Sequence, residues 1–330
     1  MRMLAGLVAV LLLAGGPASA AECGPGTHQF AHRLLAEPVC VPDDPQRVAF
    51  IDSNIAFAVA LDIPSVTTSY YSSVMVQDFP GVAGRLDPKA TDVGNTWEMN
   101  GELLLLADPD LVVTSIYWDA ANGFARALAP TVAIDPDKAT SWREVPGLVA
   151  ELFGKQAEQQ ALDAALDARL VAFRAALGDA PATFTFVQVE SPTQLWLFTS
   201  KTFGAELALE AGLRFAPQVL APEAAAKVAQ GGPFAYPVSL EQIDQIDADH
   251  IFVYAMTGSD ARKMLLETPI GARFAELHAR ELHFLAGEYW FNASAFAAQR
   301  VLDDLIRDVL GRAPGEVSPN PLAWSYTVAR

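Results

Sequence analysis

The chain has 330 residues, of which 52% are hydrophobic and 18% are charged, and its formal net charge at pH 7 is −17. This length allows two domains of ordinary size, and this composition excludes a largely disordered chain. The acidic balance argues against nucleic-acid binding, because that function needs basic patches that face the phosphate backbone.

The N-terminus has the three parts of a secretory signal peptide. Arg2 supplies a positive n-region, a short apolar h-region follows, and Ala18-Ser19-Ala20 matches the A-x-A cleavage pattern. The apolar run is too short to span a bilayer. A lipoprotein anchor at Cys23 is not expected, because the preceding residue is a glutamate where a small residue is required. The pattern predicts a cleaved signal peptide over residues 1–20 and a periplasmic mature protein.

Cys23 and Cys40 are the two cysteines of the chain, and both lie near the mature N-terminus. In an exported protein, such a close pair favours a disulfide over two free thiols. Closing a loop of this size stabilises the folded state by about 3 kcal/mol in chain-entropy models. A zinc site with His28 and His32 is not expected, because the pattern of this segment is extended and does not bring the two rings together.

In chain order, short apolar runs then alternate with helical patterns. This alternation is typical of a parallel sheet that is covered by helices on both faces. Strands are predicted at 47–51, 65–68, 91–94, 111–114 and 131–134, and helices from Ser53 or Asn54 through Leu61, around Glu102 and at 124–128.

The next segment lacks proline and is rich in helix-forming residues, and Gly178 stands where a helix would end. Its apolar residues at helical spacing are Leu162, Leu166, Leu170 and Phe173. The pattern predicts one long connecting helix, 154–178, between an N-terminal lobe, 21–153, and a C-terminal lobe, 179–330. A helix is a stiffer connector than a Gly/Ser-rich linker, so we expect small rocking of the lobes rather than large hinge closure.

The second lobe shows the same kind of alternation. It is therefore expected to form a second sheet of the same class. Strands are predicted at 183–189, 195–198, 251–254 and 282–285, and helices at 204–213, from Ser239 onward and at 293–310.

One sequence pattern occurs once in each half of the chain. A glutamate is followed by aspartates six and eight positions later and then by an apolar run. The residues are Glu102, Asp108 and Asp110 in the first half and Glu241, Asp247 and Asp249 in the second. A carboxylate is favoured at the start of a helix, and the aspartates are expected to shape the turn into the strand. The repeat predicts two similar lobes with a carboxylate at equivalent places.

Signatures of common enzymes are absent from the sequence. There is no G-x-S-x-G elbow, P-loop, dinucleotide-binding fingerprint or H-E-x-x-H motif, and the five histidines are scattered. The protein is therefore not expected to be an enzyme. A secreted α/β hydrolase remains the alternative from another class, and it would require a Ser/His/Asp trio that converges in a cleft.

Aromatic residues cluster after the predicted strands. In open α/β sheets, ligands bind outside the carboxyl ends of the strands, and aromatic walls with a few polar groups suit a bulky, partly apolar ligand. Each ring could instead pack in the core beneath its loop. The aromatic candidates for ligand contact are Trp97, Tyr117, Trp118, Trp142, Tyr236, Tyr289 and Trp290.

Seven runs in a fixed order resemble the periplasmic binding proteins of ferric-siderophore and vitamin B12 ABC importers. They are residues 92–94, 99–102, 107–113, 203–213, 239–241, 289–291 and 301–305, and the resemblance covers 47–310. One departure is Gly101, where many members of that family have Leu or Ile before the first glutamate.

The resemblance implies an α/β fold of two Rossmann-like lobes with parallel sheets, joined by one long α-helix, with the ligand cleft between the lobes. It implies a monomeric solute-binding protein that captures an iron–siderophore complex and delivers it to an inner-membrane ABC permease dimer. Glu102 and Glu241 would pair with arginines of that permease. No cofactor is implied, because the siderophore satisfies the iron.

The same resemblance leaves the ligand open within its class. Cobalamin and haem are the alternatives, and haem would favour a Tyr or His ligand at the cleft. Arg143 and Lys201 are candidate cations for an anionic chelate, and a solvated surface is their alternative role.

Overall fold

The computed structural model describes residues 23–52, 54–70, 82, 85–179, 182–191, 194–216, 235–239, 243, 246–255, 260–285 and 288–322. The predicted signal peptide and Glu241 lie outside the described residues, and so does the side chain of Tyr236.

The chain begins with a small disulfide-linked hairpin. Strands β1 (Thr27–Phe30) and β2 (Val39–Pro42) pair in antiparallel fashion. Cys23 and Cys40 form a disulfide with their Cα atoms 5.5 Å apart, which confirms the predicted pairing. The hairpin is attached to the first lobe by a bridge between Leu35 and Ile134.

The N-terminal lobe contains parallel strands, as predicted. Three of them form a sheet in the order β3-β6-β7, and β4 pairs in parallel with β5. The amide of Val66 donates to the carbonyl of Val48 at 2.9 Å and so joins the β4-β5 pair to β3. The strands are β3 (Val48–Phe50), β4 (Thr67–Tyr70), β5 (Thr91–Asn95), β6 (Leu111–Ser115) and β7 (Thr131–Ile134).

Among the described residues, four α-helices cover this sheet, because runs of buried apolar strand residues need covering on both faces. They are α1 (Asn54–Ala60), α2 (Gly101–Ala107), α3 (Asp119–Leu128) and α4 (Glu144–Leu152). Helix α3 begins five residues earlier than its apolar pattern predicts.

Helix α5 (Gln156–Leu177) is the predicted connecting helix, with 22 residues and a length of about 33 Å. It ends at Gly178, which adopts a φ of 66°. The helix is shared between the cores, because Leu162 packs against the N-terminal core while Leu166 and Phe173 belong to the C-terminal core. The connector is therefore packed along its length and is not a free-standing spacer.

The C-terminal lobe departs from the expected parallel architecture at one edge. Its sheet has the order β11-β9-β8-β12-β13, in which β8, β12 and β13 are parallel and β9 is antiparallel to both of its neighbours, β8 and β11. Only residues 192–193 separate β8 from β9. A hairpin connection of this length joins antiparallel strands, whereas parallel strands need a long crossover. Edge strand β11 accommodates Pro237, which has no amide to donate to a neighbour.

The strands of this lobe are β8 (Thr183–Ser191), β9 (Gln194–Phe198), β10 (Arg214–Phe215), β11 (Ala235–Ser239), β12 (His250–Tyr254) and β13 (Leu282–Phe284). Its described helices are α6 (Phe203–Glu210), α7 (Ala261–Leu266), α8 (Pro269–Leu277), α9 (Glu288–Phe291), α10 (Ala295–Leu310) and α11 (Pro314–Val317). Among the described helices, none combines the length and the apolar character that crossing a membrane requires.

The second aspartate of the repeat has the same structural role in both lobes. The Asp110 carboxylate accepts from the amides of Gln46 and Arg47, at 2.7 and 3.0 Å, just before β3. The Asp249 carboxylate accepts from the amide and the hydroxyl of Thr183, both at 2.7 Å, at the start of β8. Each aspartate therefore fastens its own strand to the start of the neighbouring strand.

Candidate ligand-binding site

A cleft of about 260 Å³ lies between the lobes. On one side it is bounded by the segments that follow the carboxyl ends of β3, β6 and β7, and on the other by the start of α6 and the segment between α9 and α10. This is the edge at which open α/β sheets bind ligands. The lining residues are Asp52, Asn54, Phe57, Ser115, Tyr117, Ile134, Pro136, Ala139, Ser141, Trp142, Val145, Lys201, Phe203, Glu206, Phe291, Asn292 and Ala293.

Asp52 lies two residues after the end of β3 and lines the cleft in a strained backbone conformation. Its φ is 63°, a left-handed value that is uncommon for a residue with a side chain. The Asp52 amide donates to the Ser69 hydroxyl at 2.6 Å, which fixes the turn. Sequence analysis missed this residue, and the signal for it is a polar residue placed directly after a buried strand.

Tyr117 follows β6 and lies in the cleft wall as predicted from its position. Its hydroxyl donates to the Asp137 carboxylate at 2.6 Å. Burial raises the pKa of Tyr117, and the hydrogen bond to Asp137 raises that pKa further. The side chain therefore remains a phenol at neutral pH.

Trp142 lines the cleft and joins the two lobes. Its amide donates to Glu206 at 2.8 Å, and its indole Nε1 donates to Glu210 at 3.1 Å. Its ring meets Phe203 edge to face, with centroids 5.0 Å apart. Burial raises the pKa of Glu206, and the hydrogen bond from the Trp142 amide opposes that rise.

The C-terminal wall is formed by Lys201, Phe203 and Glu206 around the start of α6, together with Phe291 and Asn292. The Lys201 side chain is exposed, while Phe203 is buried. Lys201 is the one basic residue in the described lining of the cleft.

Arg143 is not part of the described cleft lining, in contrast to its predicted role as a ligand-binding cation. Its guanidinium pairs with Glu210 of α6 at 2.7 Å. It also pairs with two carboxylates of α5, Asp167 at 2.8 Å and Asp163 at 3.4 Å. These contacts turn the side chain away from the cleft and make it a tie between the lobes and the connecting helix.

Tyr289 and Trp290 belong to the core of the C-terminal lobe and not to the described cleft lining. Trp290 is 0% exposed, and both side chains donate to the buried Asp304 carboxylate of α10. Gly204 allows this packing, since a Cβ at that position would lie 2.7 Å from the Trp290 ring. Because Trp290 has no exposed surface, a ligand in the cleft does not reach it, and the prediction that Trp290 contacts the ligand is wrong.

Trp97 and Trp118 pack against each other, edge to face, with centroids 4.7 Å apart. Trp118 is buried in the N-terminal lobe, and Trp97 is 59% exposed. Neither contributes to the described cleft, so these predicted contacts are not brought to it. Tyr236 lies in β11, and its side chain is outside the described part of the structure.

Glu102 is exposed at the start of α2. The Asn100 side chain caps this helix, accepting from the amides of Glu102 and Leu103 at 3.0 and 3.1 Å. Packing explains why glycine occupies position 101, because a Cβ there would clash with the Phe124 ring. The unusual glycine before Glu102 therefore lets α3 approach the first turn of α2.

Within the described ranges, no group of three or more His, Cys, Asp or Glu residues is arranged to hold a metal ion. His250 and His283 form a pair in neighbouring strands, with Nδ1 and Nε2 3.0 Å apart. Neither residue lines the described cleft.

A family profile described as periplasmic binding protein matches residues 65–275, which is more than half of the chain. The chain belongs to the periplasmic binding protein family. The members of this family bind transported solutes rather than catalyse reactions, and they act outside the cytoplasm. Both lobes of the α/β fold described above fall partly within the matched region.

Solved structures of similar fold come from several bacteria. SirA of Staphylococcus aureus, solved with staphyloferrin B, is 19% identical, with a TM-score of 0.67 and coverage of 86% of this chain and 98% of its own. The petrobactin-binding protein YclQ of Bacillus subtilis is 16% identical, with a TM-score of 0.69 and coverage of 87% and 99%. FeuA of the same organism, solved with ferri-bacillibactin, is 18% identical, with a TM-score of 0.68 and coverage of 86% and 98%. At these identities the similarity concerns the fold, and no curated protein matches this chain in sequence.

Proposed function

We propose that this binding protein captures an iron–siderophore complex and delivers it to the permease of an ABC importer. The observation that carries the proposal is the cleft between the lobes, whose lining combines aromatic side chains with polar groups, most of them neutral. Such a wall suits an organic ligand that presents both apolar surface and hydrogen-bonding oxygens. The similar folds of SirA, YclQ and FeuA support the choice of ligand class, because their own names and complexes identify them as siderophore binders.

The chemistry of the cleft favours a chelated iron over a metal bound by the protein. No histidine is among the described lining residues. The Tyr117 hydroxyl donates to Asp137, and ligation of haem iron by tyrosine requires the deprotonated oxygen. Iron held in this cleft would therefore bring its own ligands, as it does in a siderophore complex.

Delivery requires a surface that the permease can recognise, and α2 offers one. Glu102 is exposed, and Leu105 and Leu106 of the same helix expose large apolar side chains, with Leu106 74% exposed. Carboxylate–arginine pairs would orient the complex and speed encounter. Glu241 is proposed as the equivalent residue of the second lobe, because the sequence repeat places it in register with Glu102.

The remaining proposals concern the organisation of the chain. Residues 1–20 would be removed as a signal peptide, leaving a monomeric periplasmic protein without a lipid anchor. The lobes would comprise residues 21–153 and 179–330, with 154–178 as the connector. The Cys23–Cys40 disulfide supports an oxidising compartment.

The test is a binding panel of ferric siderophores, cobalamin and haem, measured by equilibrium dialysis with the mature protein. We expect at least one ferric siderophore to bind at micromolar concentration or below. Tyr117→Ala should weaken its binding by about tenfold, because a cleft-lining aromatic side chain is truncated. Trp97→Ala is the matched control and should leave affinity unchanged, since Trp97 lies outside the described cleft. Binding of cobalamin or haem, with no binding of any ferric siderophore, would contradict the proposal.

A further inference from the structure

The charges in the cleft wall restrict the kind of chelate that it can accept. The described lining contains two carboxylates, Asp52 and Glu206, and one ammonium group, Lys201. Asp52 is buried and Glu206 is half-buried, whereas Lys201 is exposed to solvent. The two carboxylates therefore lie in the less exposed part of the wall, where a bound ligand would lose its water. The ammonium group of Lys201 lies where water screens its charge.

Two cations in segments that adjoin the cleft are already paired with carboxylates. Arg143 is paired with Asp163, Asp167 and Glu210. Lys138 donates to the carbonyl of Leu35 at 3.0 Å and lies 3.4 Å from Asp135. Recruiting either cation to a ligand would leave carboxylates without their partners, which is unfavourable in a partly buried site.

Arg33 is also paired with a carboxylate. Its guanidinium pairs with Glu144 and donates to the carbonyl of Lys138 at 2.6 Å. The long undescribed stretches of the chain, 71–81 and 217–234, add no surplus of positive charge. Their charged residues are Asp78, Glu223 and Lys227.

The uncharged part of the wall matches a neutral organic shell. Phe57, Trp142 and Phe291 present apolar surface, and Asn54 and Asn292 add neutral amides, of which the Asn54 amide also donates to the Ile51 carbonyl at 2.9 Å. Amide groups pair with carbonyl and hydroxamate oxygens without requiring a compensating charge. An anionic chelate placed here would instead meet two carboxylates.

We infer that the ligand is a ferric chelate without net negative charge, of the hydroxamate type. Three hydroxamates lose one proton each on binding and so neutralise a ferric ion, whereas three catecholates lose two protons each and leave a trianion. A free amine on the hydroxamate chelate would add a positive charge, which the net negative charge of the described wall would attract. This inference rests on the proposed siderophore-binding function.

Three ferric complexes of different charge test the inference by equilibrium dialysis at low ionic strength. They are ferrichrome, a neutral trihydroxamate; ferrioxamine B, a trihydroxamate with a free amine; and ferric enterobactin, a triscatecholate trianion. We expect the two hydroxamates to bind at least about tenfold more tightly than the trianion, because repulsion from wall carboxylates is only partly screened.

Charge-neutral variants test whether the wall carboxylates cause the preference. Asp52→Asn combined with Glu206→Gln should reduce the preference, mainly by improving binding of the trianion. Gln at 206 retains an oxygen that can accept from the Trp142 amide. Glu276→Gln, at an exposed position of α8 outside the described cleft, is the matched control and should leave the preference unchanged.

The possible outcomes test separately the charge preference, the siderophore-binding function and the role of the two wall carboxylates. Equal or tighter binding of the trianion overturns the charge inference and leaves siderophore binding intact. Failure of every ferric siderophore in the wider panel overturns the proposed function and this inference with it. A preference for hydroxamates that the double variant retains in full overturns the assignment to Asp52 and Glu206.

Discussion

At the scale of single residues, the position of a polar side chain relative to its strand decides what the side chain contacts. Asp52 and Tyr117 both follow strands of the N-terminal sheet and both line the cleft. Asp110 and Asp249 lie at the opposite ends of strands, before β6 and β12, and their carboxylates are used in fastening neighbouring strands. The same residue type therefore lines the cleft at one edge of the sheet and fastens strands at the other.

The His250–His283 pair predicts a pH dependence of stability. Burial lowers the pKa of both histidines, although nearby carboxylates, among them Asp308 and Glu281, oppose that effect. The unfolded chain binds protons at about pH 6.5 while the folded pair resists them, so stability should fall as the pH drops below about 7. Above that range neither state is protonated, and the pair should contribute no pH dependence.

Urea denaturation at about pH 7.5 and about pH 5.5 measures this effect. His283→Gln keeps a group that can hydrogen-bond to His250 but removes one titrating ring. It should therefore lose less stability than the parent between the two pH values. His278→Gln, which changes a histidine outside the pair, is the control and should retain the parental pH dependence. An equal loss in parent and His283→Gln would contradict the prediction.

At the scale of elements, the Trp142–Arg143 segment, which directly precedes α4, is in contact with both α5 and α6. Trp142 contacts α6 through Glu206 and Phe203, and Arg143 links α6 to α5 through Glu210 and Asp167. Because these contacts join segments from both lobes to the connector, they oppose large hinge motion. Small rocking of the lobes, which the stiffness of the connecting helix predicts, stays a prediction.

Arg143→Ala should lower the free energy of unfolding by about 1–3 kcal/mol, because it leaves several carboxylates close together in a half-buried site. Urea denaturation measures the change. Lys155→Ala is the control: it removes an exposed ion pair with Glu158, and such pairs contribute less than about 1 kcal/mol. A loss no greater than that of the control would show that Arg143 does not tie the lobes.

At the scale of the whole molecule, the described cleft and the proposed docking residue Glu102 lie at different places. The cleft lies between the lobes, whereas Glu102 lies at the start of α2 and is absent from the described cleft lining. Binding and delivery should therefore be separable by mutation.

The double variant Glu102→Arg/Glu241→Arg should reduce uptake of a labelled ferric siderophore to background, because attraction to permease arginines becomes repulsion. Ligand affinity of the purified variant should stay within about twofold of the parent. Glu267→Arg/Glu276→Arg makes the same change in net charge at two other exposed positions and should preserve uptake. Normal uptake by the first variant would exclude these glutamates as docking points.

Much of the fold could be predicted from local patterns. The buried strands around Val112 and Val132 and the long helix α5 are continuous in sequence, so apolar runs and helical spacing reveal them. The cleft was predicted less completely. Tyr117, Trp142 and Lys201 line it, but Trp290 turns into the core, because the short helix α9 directs its ring toward the buried Asp304.

The sequence by itself determined the alternation of strands and helices, the disulfide pair and the repeated Glu-Asp-Asp pattern, because each depends on residues close together in the chain. Only the tertiary structure decided which side of a loop each aromatic ring and each cation faces. Arg143 is tied to carboxylates 20, 24 and 67 positions away in the chain. Contacts over such separations depend on how helices pack, and no local pattern of apolar or charged residues encodes them.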